Sequence, residues 1–375
     1  MPRTRVAGHL CVDLFPSLAD AVPGPGSLAE VGPLDVRLGG CVSNTGLALA
    51  QLGAAVDVVA VIGDDLLGNV VESLLEKSAV GSRSIHRLGL ATTSYSVVIQ
   101  PPGRDRSFFH HVGANAAFDG SQVRVDDIEL LHVGYPQLLP RLLVGGGRGL
   151  VELLERARTA DVTTSVDFAT VDTRQSGGNP WPEIVRHWAP LIDVLTPSVD
   201  DLRASFPYIG SGSDEADAVA LADELVRAGV GVALVTAGRR GMCLRTSGPD
   251  RLCRGGAVLR PLADTWAGRQ LWAPPGAVAA MRTTGAGDTA TAGFLFALLA
   301  GLSAEQALHL AVEAAALHVN GVDPLPAWPV DGGERPFGRL PRAHVPIEDV
   351  AGWTKDPRGL LAGPNDHHHV ASSFT

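Results

Sequence analysis

Lysine is almost absent from this sequence of 375 residues, in which arginine carries nearly all of the positive charge. The two lysines, Lys77 and Lys355, follow Glu76 and Thr354. A phosphate-binding P-loop requires a lysine directly after glycine and before serine or threonine. The sequence therefore argues against P-loop NTPases and protein kinases.

Cysteines and long apolar runs are also scarce. The four cysteines, Cys11, Cys41, Cys243 and Cys253, lie far apart and form no C-x-x-C pair, so we expect free thiols in a reducing compartment. The N-terminus lacks the long apolar segment of a signal peptide. The longest apolar runs, such as 294–300, are too short to span a bilayer. We therefore predict a cytoplasmic protein without a membrane anchor.

An excess of acidic residues makes the whole molecule anionic. The chain has 40 Asp and Glu against 30 Lys and Arg, which gives a formal net charge of -10. Such a charge repels nucleic acids and anionic membrane surfaces. We therefore expect neither as a partner, and an anionic substrate would have to be held by a local site.

Short apolar strands alternate with longer helical segments along the chain. Runs rich in β-branched residues at 56–63, 163–168, 192–196 and 231–238 predict buried strands. Amphipathic segments, such as 216–229, lie between them and predict helices. This alternation is typical of α/β proteins in which helices cover a mainly parallel sheet.

Three segments break this alternation. Residues 33–38 predict an extra strand, and 91–100 with 105–112 predict a hairpin. Together they favour a small separate sheet that is suited to act as a lid. Residues 246–280 carry many prolines and glycines, so we expect an insertion of loops and irregular strands there.

From about residue 331 the chain becomes polar and rich in proline and glycine. Three consecutive histidines at 367–369 have no cysteine or further histidine at zinc-ligand spacing nearby. We interpret residues 331–375 as a C-terminal extension that ends in a mobile tail.

The strongest local motif is T-T-G-A-G-D at 283–288, which precedes an apolar helical run. If a helix begins at Gly285, Ala286 and Gly287, its free backbone N–H groups and the positive end of its dipole form an anion site. Asp288 would then lie beside that site and could accept a proton from an alcohol. The alternative from these residues alone is a glycine-rich turn in which Asp288 only caps the helix.

A second motif, L-G-G-C-V-S-N, occupies residues 38–44. Gly39 and Gly40 allow the backbone to approach a ligand closely, and the Asn44 amide can both donate to and accept from a sugar hydroxyl. The alternative is that the glycines only make a turn and that Asn44 only caps a helix.

The two motifs together resemble the paired signatures of the ribokinase-like (PfkB) carbohydrate kinase family. The early signature is G-G-x-x-x-N followed by L-G and G-D-D-x-x-G, here within 38–68, and the late one is D-T-x-G-A-G-D, here at 282–288. The resemblance covers roughly residues 5–326, and the two signatures together are more specific than either alone. It implies a three-layer α/β/α sandwich with a mainly parallel central sheet and a small β lid.

The resemblance also implies where a substrate binds. Asp13 lies in the segment 6–14, which resembles the family's first strand, whose terminal aspartate holds a sugar hydroxyl. Residues 113–115 resemble the family's G-A-N turn after the lid strand. The predicted substrate-binding residues are Asp13, Gly39, Gly40, Asn44 and Asn115.

The nucleotide side is implied by residues 234–242, which resemble the family's T-x-G-x-x-G segment. Its two glycines let the backbone run close to a phosphate or ribose, and Arg239 or Arg240 could offer a planar donor fork. The alternative for these arginines is a tight turn that leaves them in solvent. With Thr284 and the end of a late helix, the predicted nucleotide-binding residues are Thr236, Gly238, Arg240, Gly241, Thr284, Asn320 and Gly321.

The sequence departs from the family in two places. Thr196 and Ser198 replace the asparagines of N-P-N-x-x-E, and Asp201 replaces its glutamate, so the charge remains but its reach is one methylene shorter. A bridging water would still let Asp201 organise Mg²⁺, whereas the alternative is that Asp200 or Asp201 only supplies charge at a helix start. Arg282 stands where the family has an aspartate associated with a monovalent cation, so K⁺ dependence does not follow from the resemblance.

We therefore predict a kinase that uses ATP and Mg²⁺ to phosphorylate the primary hydroxyl of a sugar or nucleoside, with Asp288 as general base and the 285–288 amides as anion hole. The kinase domain would span 1–330, with a discontinuous lid from about 14–38 and 91–113. The resemblance is compatible with a homodimer formed through the lid. The alternative from a different class is a non-catalytic sensor of the same fold that binds sugar or nucleotide.

Overall fold

Two separate β-sheets organise the chain. The computed structural model describes residues 2–18, 22–81, 83–101, 106–169, 181–206, 212–276, 283–322, 352–356 and 359–368. The strands are β1 (Arg3–Gly8), β2 (Cys11–Pro16), β3 (Leu34–Gly39), β4 (Ala55–Gly63), β5 (Ile85–Leu88), β6 (Tyr95–Ile99), β7 (Ser107–His111), β8 (Leu130–Gly134), β9 (Thr163–Asp167), β10 (Val194–Leu195), β11 (Val232–Thr236), β12 (Met242–Thr246), β13 (Gln270–Ala273), β14 (Thr354–Lys355) and β15 (Leu361–Ala362). The helices are α1 (Cys41–Leu52), α2 (Leu66–Glu76), α3 (Val144–Thr159), α4 (Trp181–Trp188), α5 (Val199–Ser205), α6 (Asp214–Ala228), α7 (Pro249–Leu252), α8 (Gly256–Leu259), α9 (Ala263–Trp266), α10 (Ala286–Leu299) and α11 (Ala304–Val319).

The larger sheet is mainly parallel. Among the described residues its strand order is β14-β15-β13-β12-β11-β10-β9-β8-β1-β4-β5, and the strands from β11 to β5 run parallel. These strands are nearly continuous apolar runs because helices cover both of their faces. The predicted strands at 56–63, 163–168 and 231–238 are confirmed, whereas 192–196 yields only the two-residue β10.

Helices form a layer on each side of this sheet. Helices α1, α10 and α11 contribute to one apolar core, and α3, α4 and α6 contribute to the other. Every residue of α10 from Asp288 to Leu299 is buried, as expected for a helix that is apolar all round and enclosed by its neighbours. The predicted three-layer α/β/α architecture is therefore confirmed.

The connection between β12 and β13 differs from its prediction. Instead of loops and irregular strands, residues 249–266 form the three short helices α7, α8 and α9, which the fully buried Trp266 anchors. Pro249 begins α7, a position where the missing N–H of proline removes no helical hydrogen bond. β12 and β13 then extend the sheet in antiparallel fashion. Residues 277–280 lie outside the described residues.

Part of the C-terminal extension belongs to the same sheet. β15 pairs with β13, and β14 pairs with β15. The buried guanidinium of Arg269 holds this segment, because it lies 3.1 Å from the carboxylate of Asp366 and 2.5 Å from that of Glu305. Residues 361–368 thus lie against the sheet, and the mobility predicted for the tail stays a prediction. The chain from His369 onward lies outside the described residues.

The smaller sheet has the order β3-β2-β6-β7, which confirms the predicted hairpin and extra strand. β2 and β6 run parallel, and the outer pairs run antiparallel. Only His9 and Leu10 separate β1 of the larger sheet from β2, so the smaller sheet begins directly after the carboxyl end of β1. Its outer strand leaves Phe109 68% exposed, and the pairing of two copies through this sheet stays a prediction.

The four cysteines are free thiols, of which Cys253 is exposed and the other three are buried. Within the described ranges, none of the helices combines the length and apolar character needed to cross a bilayer.

Candidate active site

A cavity of about 1100 Å³ opens where the parallel strands end. Its lining residues come from the carboxyl ends of β9 and β11, from the segments after β1 and β8, and from the smaller sheet. Open α/β sheets bind ligands at this edge, where strand ends and helix N-termini meet. Pockets for small molecules span about 300–1,000 Å³, so this cavity is as large as the largest of them.

The first turn of α10 faces this cavity. Gly285 precedes the helix with a φ of 83°, a left-handed conformation that favours glycine. Among the described residues, and apart from its chain neighbours and its own helix backbone, no atom lies within 4 Å of the position that a Cβ on Gly287 would occupy. This part of the helix start therefore leaves space for a ligand. The first N–H groups of a helix lack acceptors within it and, with the positive end of the dipole, suit a phosphate. The geometry is compatible with the predicted anion site.

Asp288 lies in that turn, where three side chains hold its carboxylate. Its residue surface is only 4% exposed. Asn44 Nδ2 donates to Oδ2 at 2.9 Å, and Thr45 Oγ1 donates to Oδ1 at 3.2 Å. The Tyr135 hydroxyl lies 2.8 Å from both carboxylate oxygens. Burial raises the pKa of Asp288, and these hydrogen bonds oppose the rise because they favour the charged carboxylate.

The contact between Asn44 and Asp288 joins the two sequence motifs, which are 244 positions apart. Asn44 lies in the first turn of α1, which begins after Gly40 with a φ of 86°. Both motifs therefore start a helix directly after a left-handed glycine, and the two helix starts meet at the cavity. The structure brings together Gly40, Asn44 and 285–288, as the sequence predicted.

Asp13 lies on a second wall of the cavity, on β2, and is 7% exposed. Cys11 Sγ lies 3.2 Å from Asp13 Oδ1 and donates to it. Burial raises the pKa of Asp13, and hydrogen bonds from Cys11 and Ser96 oppose the rise. A Cβ on Gly39 would lie 2.3 Å from the Asp13 carboxylate. Gly39 therefore makes room for Asp13, whereas Gly40 lines the cavity itself.

Two histidines connect the smaller sheet to the larger one at this wall. The Nε2 atoms of His9 and His110 lie 3.4 Å apart, and His110 Nδ1 lies 3.0 Å from Ser96 Oγ. Burial, followed by the charge of His110, lowers the pKa of His9 to about 3. Burial also lowers the pKa of His110. Both imidazoles are therefore neutral at neutral pH and serve as hydrogen-bonding groups.

The other half of the cavity is more open. Thr236 ends β11, and the turn Gly238–Arg240 that follows contains no buried residue. Apart from its chain neighbours, no atom of the described part of the chain lies within 4 Å of the Cβ position of Gly238. Small and apolar residues of α11 complete this half, together with Gly241. The predicted residues Thr236, Gly238 and Gly241 therefore line one surface.

The arginines and Thr284 also lie in this half. Arg240 Nη1 lies 3.4 Å from a Glu215 carboxylate oxygen, so its guanidinium already has an anionic partner. Arg239 lines the cavity beside it. Thr284 precedes the anion site, and its carbonyl accepts a hydrogen bond from His318 Nε2 at 2.7 Å. His318 thereby ties α11 to the turn before α10.

Asp167 and Asp201 are two of the four further aspartates that line the cavity among the described residues, the others being Asp200 and Asp214. Ser198 is the N-cap of α5 and Asp201 completes its capping box, since the Ser198 hydroxyl and N–H donate to Asp201 Oδ2 at 2.6 and 2.9 Å. Burial, and then the carboxylates of Asp288 and Asp201, raise the pKa of Asp167 well above its usual range. Over the part of the chain that the structure describes, no group of three or more His, Cys, Asp and Glu side chains is arranged to hold a metal ion. Arg282 lies outside the described residues.

Four predicted residues are not among the described residues that line the cavity: Gly39, which makes room for Asp13, and Asn115, Asn320 and Gly321. Asn115 is fully buried, and its Nδ2 donates to the Leu10 carbonyl at 2.9 Å, so it braces the connection between β1 and β2. Asn320 directly follows the last residue of α11, and Gly321 comes next. Among the described residues, Val319 is the last residue of α11 that lines the cavity.

Sequence reasoning missed three residues of the site: Thr45, Tyr135 and Asp167. Asp167 ends a correctly predicted strand, so its position at the carboxyl edge of the larger sheet could have been predicted. Thr45 directly follows Asn44 and projects from the same helix turn. Tyr135 gave no sequence signal, because its side chain reaches Asp288 only through an unusual backbone conformation.

A large parallel sheet, a small separate sheet and a buried aspartate at a glycine-initiated helix are the features of a carbohydrate kinase fold. The profile of the pfkB family carbohydrate kinases matches residues 3–327. The chain therefore belongs to that family.

Similar proteins of known sequence and structure include several ribokinases. The chain is 23% identical to ribokinase of Haemophilus influenzae over 301 residues, which cover 79% of this chain and 85% of that protein. It is 28% identical to the bifunctional protein HldE of Alcanivorax borkumensis over 325 residues, 84% of this chain and 60% of HldE. The structure of Arabidopsis thaliana ribokinase complexed with ribose and ATP matches with a TM-score of 0.65 and 21% identity, over 85% of this chain and 92% of that one. The nucleoside kinase of Methanocaldococcus jannaschii matches with a TM-score of 0.64 and 17% identity, over 88% of this chain and 96% of that one.

Proposed function

We propose that the protein transfers the γ-phosphoryl group of ATP to a primary hydroxyl of a sugar or nucleoside. One observation carries this proposal: the Asp288 carboxylate is buried against Asn44 at the open, glycine-initiated start of α10. That arrangement pairs a proton acceptor with an anion site. The ribokinases and the nucleoside kinase among the similar proteins support the same class of acceptor.

The acceptor would lie between Asp13, Gly40, Asn44 and the smaller sheet, with its hydroxymethyl group directed at Asp288. Asp288 would accept the hydroxyl proton while the alcohol oxygen forms a bond to the γ-phosphorus. The bond from that phosphorus to the β,γ-bridging oxygen breaks, and ADP leaves. Support comes from the fact that Asp288 and Asp13 line the same cavity.

The amides of residues 285–288 would bind the transferring phosphoryl group and stabilise the charge that develops on it. The rest of ATP would extend along Thr236, Gly238 and Gly241, towards the apolar residues of α11. The open space at Gly238 and Gly287 supports this assignment, because a phosphate or ribose can approach the backbone there.

Mg²⁺ is the usual partner of ATP, and the chemistry of this half of the cavity fits it. Asp201 supplies a carboxylate that could hold the ion through a bridging water, the mode that Mg²⁺ commonly adopts. When bound, the ion would neutralise charge on the phosphates. The capping bonds from Ser198 use one Asp201 oxygen and fix the direction of the carboxyl group.

An assay of ADP release tests the proposal across pentoses, hexoses, sugar phosphates and nucleosides, with and without K⁺. We expect ADP release that requires both ATP and one class of acceptor. The rate of release should be equal with and without K⁺. Calorimetric binding of an acceptor or a nucleotide without ADP release under any condition would contradict the proposal. That result would favour a non-catalytic sensor.

A further inference from the structure

Tyr135 has a backbone conformation that tyrosine rarely adopts. Its φ of 58° and ψ of 52° lie in the left-handed region. Pro136 follows, and a residue before proline is normally pushed to extended conformations by the proline ring. Strained positions of this kind persist only where the surrounding structure fixes them, and they cluster at functional sites.

The surroundings fix Tyr135 through its backbone. Its N–H donates to the Asp167 carbonyl at 3.1 Å, and its own carbonyl accepts from the Leu138 N–H at 2.8 Å. The first bond ties the residue to β9, and the second closes the turn that begins at Pro136. Tyr135 therefore stands at the carboxyl edge of the central strands β8 and β9.

The unusual conformation turns the phenol toward Asp288. The hydroxyl lies 2.8 Å from Oδ1 and 2.8 Å from Oδ2, midway between the two oxygens. The ring packs near the His9 imidazole, with 5.8 Å between ring centroids. An extended residue could follow β8 without strain. The left-handed conformation of Tyr135 therefore needs another explanation, and the contact with Asp288 provides one.

We propose that Tyr135 is a positioning residue for Asp288, whose phenol holds the carboxylate ionised and oriented for proton transfer. The inference rests on the proposed function, in which Asp288 is the general base. The inference is based on the distances from the phenol hydroxyl to Asp288 and on the strained backbone conformation that places the phenol there. A packing role alone would need the ring but not the hydroxyl.

Titratable groups surround Asp288, but its burial and its hydrogen bonds set the direction of the effect. Asp167 faces it from β9, His318 from α11, Cys11 from β2 and Cys41 from α1. Burial raises the pKa of Asp288, and the Tyr135 hydrogen bond lowers it. Loss of the phenol hydroxyl should therefore raise that pKa, so that the base becomes protonated at a higher pH.

The first test is the pH profile of kcat/KM for Tyr135→Phe, with ATP and D-ribose as the probe substrates. The variant keeps the ring and the strained backbone. We expect its acid limb to move up by about one pH unit, as expected when one hydrogen bond to a charged group is lost. Tyr95→Phe removes a phenol from the smaller sheet outside the cavity lining, and its acid limb should coincide with that of the parent. An unmoved acid limb in Tyr135→Phe would overturn the inference.

A second test needs no substrate. Melting temperatures are compared for the parent, Tyr135→Phe, Asp288→Asn and the double variant at neutral pH. If the phenol stabilises the charged carboxylate, Tyr135→Phe lowers the melting temperature more in the parent than in combination with Asp288→Asn. Equal losses in the two backgrounds would contradict the inference.

The two tests also separate the inference from the proposed function. Full turnover in Asp288→Asn would refute the general base, whatever the thermal coupling. Loss of turnover in Asp288→Asn together with an unmoved acid limb in Tyr135→Phe would refute the role of Tyr135 alone.

Discussion

The two halves of the cavity are built differently. On the acceptor side, His9, Asp13 and Ser96 are almost completely buried and already hydrogen-bonded to protein groups. On the nucleotide side, the turn Gly238–Arg240 has no buried residue, and Gly238 faces open space. One half is a buried polar wall, and the other is exposed backbone with charged side chains at its rim.

This difference teaches where discrimination among ligands should arise. A buried polar wall rejects a molecule that lacks the matching hydroxyls, because acceptor positions that the protein's own hydrogen bonds leave over, such as those of the Asp13 carboxylate, then have no partner. Backbone amides at a helix start recognise any phosphate. We therefore expect selectivity for the acceptor to depend on side chains, and affinity for the nucleotide to depend on backbone access.

The largest expected effect comes from Asp288, where the two halves meet. Asp288→Asn should reduce kcat by about 10²- to 10⁴-fold, the usual contribution of a positioned general base. The measurement is the rate of ADP release at saturating substrates. Asp250→Asn changes an exposed aspartate in the first turn of α7 and should leave the rate unchanged. Equal rates in Asp288→Asn and the parent would remove the general base from the scheme.

Asp288→Asn should also raise the melting temperature at neutral pH. Because burial raises the folded-state pKa of Asp288, the folded protein binds its proton more tightly than the unfolded chain does. The ionised carboxylate therefore costs stability once the pH exceeds the unfolded pKa, and a neutral amide removes that cost. A lower melting temperature for the variant would show that the hydrogen bonds outweigh the burial.

A change confined to the acceptor half should alter only the acceptor. Asp13→Asn should raise KM for the acceptor by about 10- to 100-fold, since hydrogen bonds to a charged group contribute about 1.5–3 kcal/mol. KM for ATP should stay the same, and Asp126→Asn, at an exposed position, serves as the control. Parallel increases in both KM values would show that the two halves are coupled rather than separate.

The smallest expected effect is on the nucleotide half. Gly287→Ala adds a methyl group in open space at the start of α10, where alanine favours a helix more than glycine does. Stability should therefore not fall, while KM for ATP rises by about tenfold, equivalent to about 1.4 kcal/mol. Gly89→Ala, in a turn with the same open space, should change neither KM. An unchanged KM for ATP in Gly287→Ala would move the phosphate away from this helix end.

The backbone elements that form the site could be predicted from the sequence, but several of its side-chain contacts could not. Glycine-initiated helices and strand ends follow from local patterns, so the meeting of Asn44 with Asp288 was predictable. The structural role of Asn115 was not predictable, because only the folded chain shows that its side-chain amide donates a hydrogen bond to the Leu10 carbonyl. Tyr135 reaches Asp288 through a left-handed conformation that is imposed by β9 and by the following turn.

Strand length limited prediction at the other edge of the sheet. β14 and β15 have two residues each, too few to produce a pattern of alternating side chains. They join the sheet by backbone pairing with β13 and with each other, and Arg269 holds the residues that follow through Asp366, while its other partner Glu305 comes from a distant part of the chain. Ion pairs of that kind leave no local trace in a sequence.

The Arg269 cluster means that the boundary suggested by family likeness is not a boundary of the folded body. A chain cut after residue 327 would strip two strands from the sheet and uncover the edge of β13, which could then pair with other polypeptides. It would also leave a cation in the interior with one counter-ion in place of two. Shortened versions meant to isolate the catalytic part should therefore keep the chain through at least residue 368.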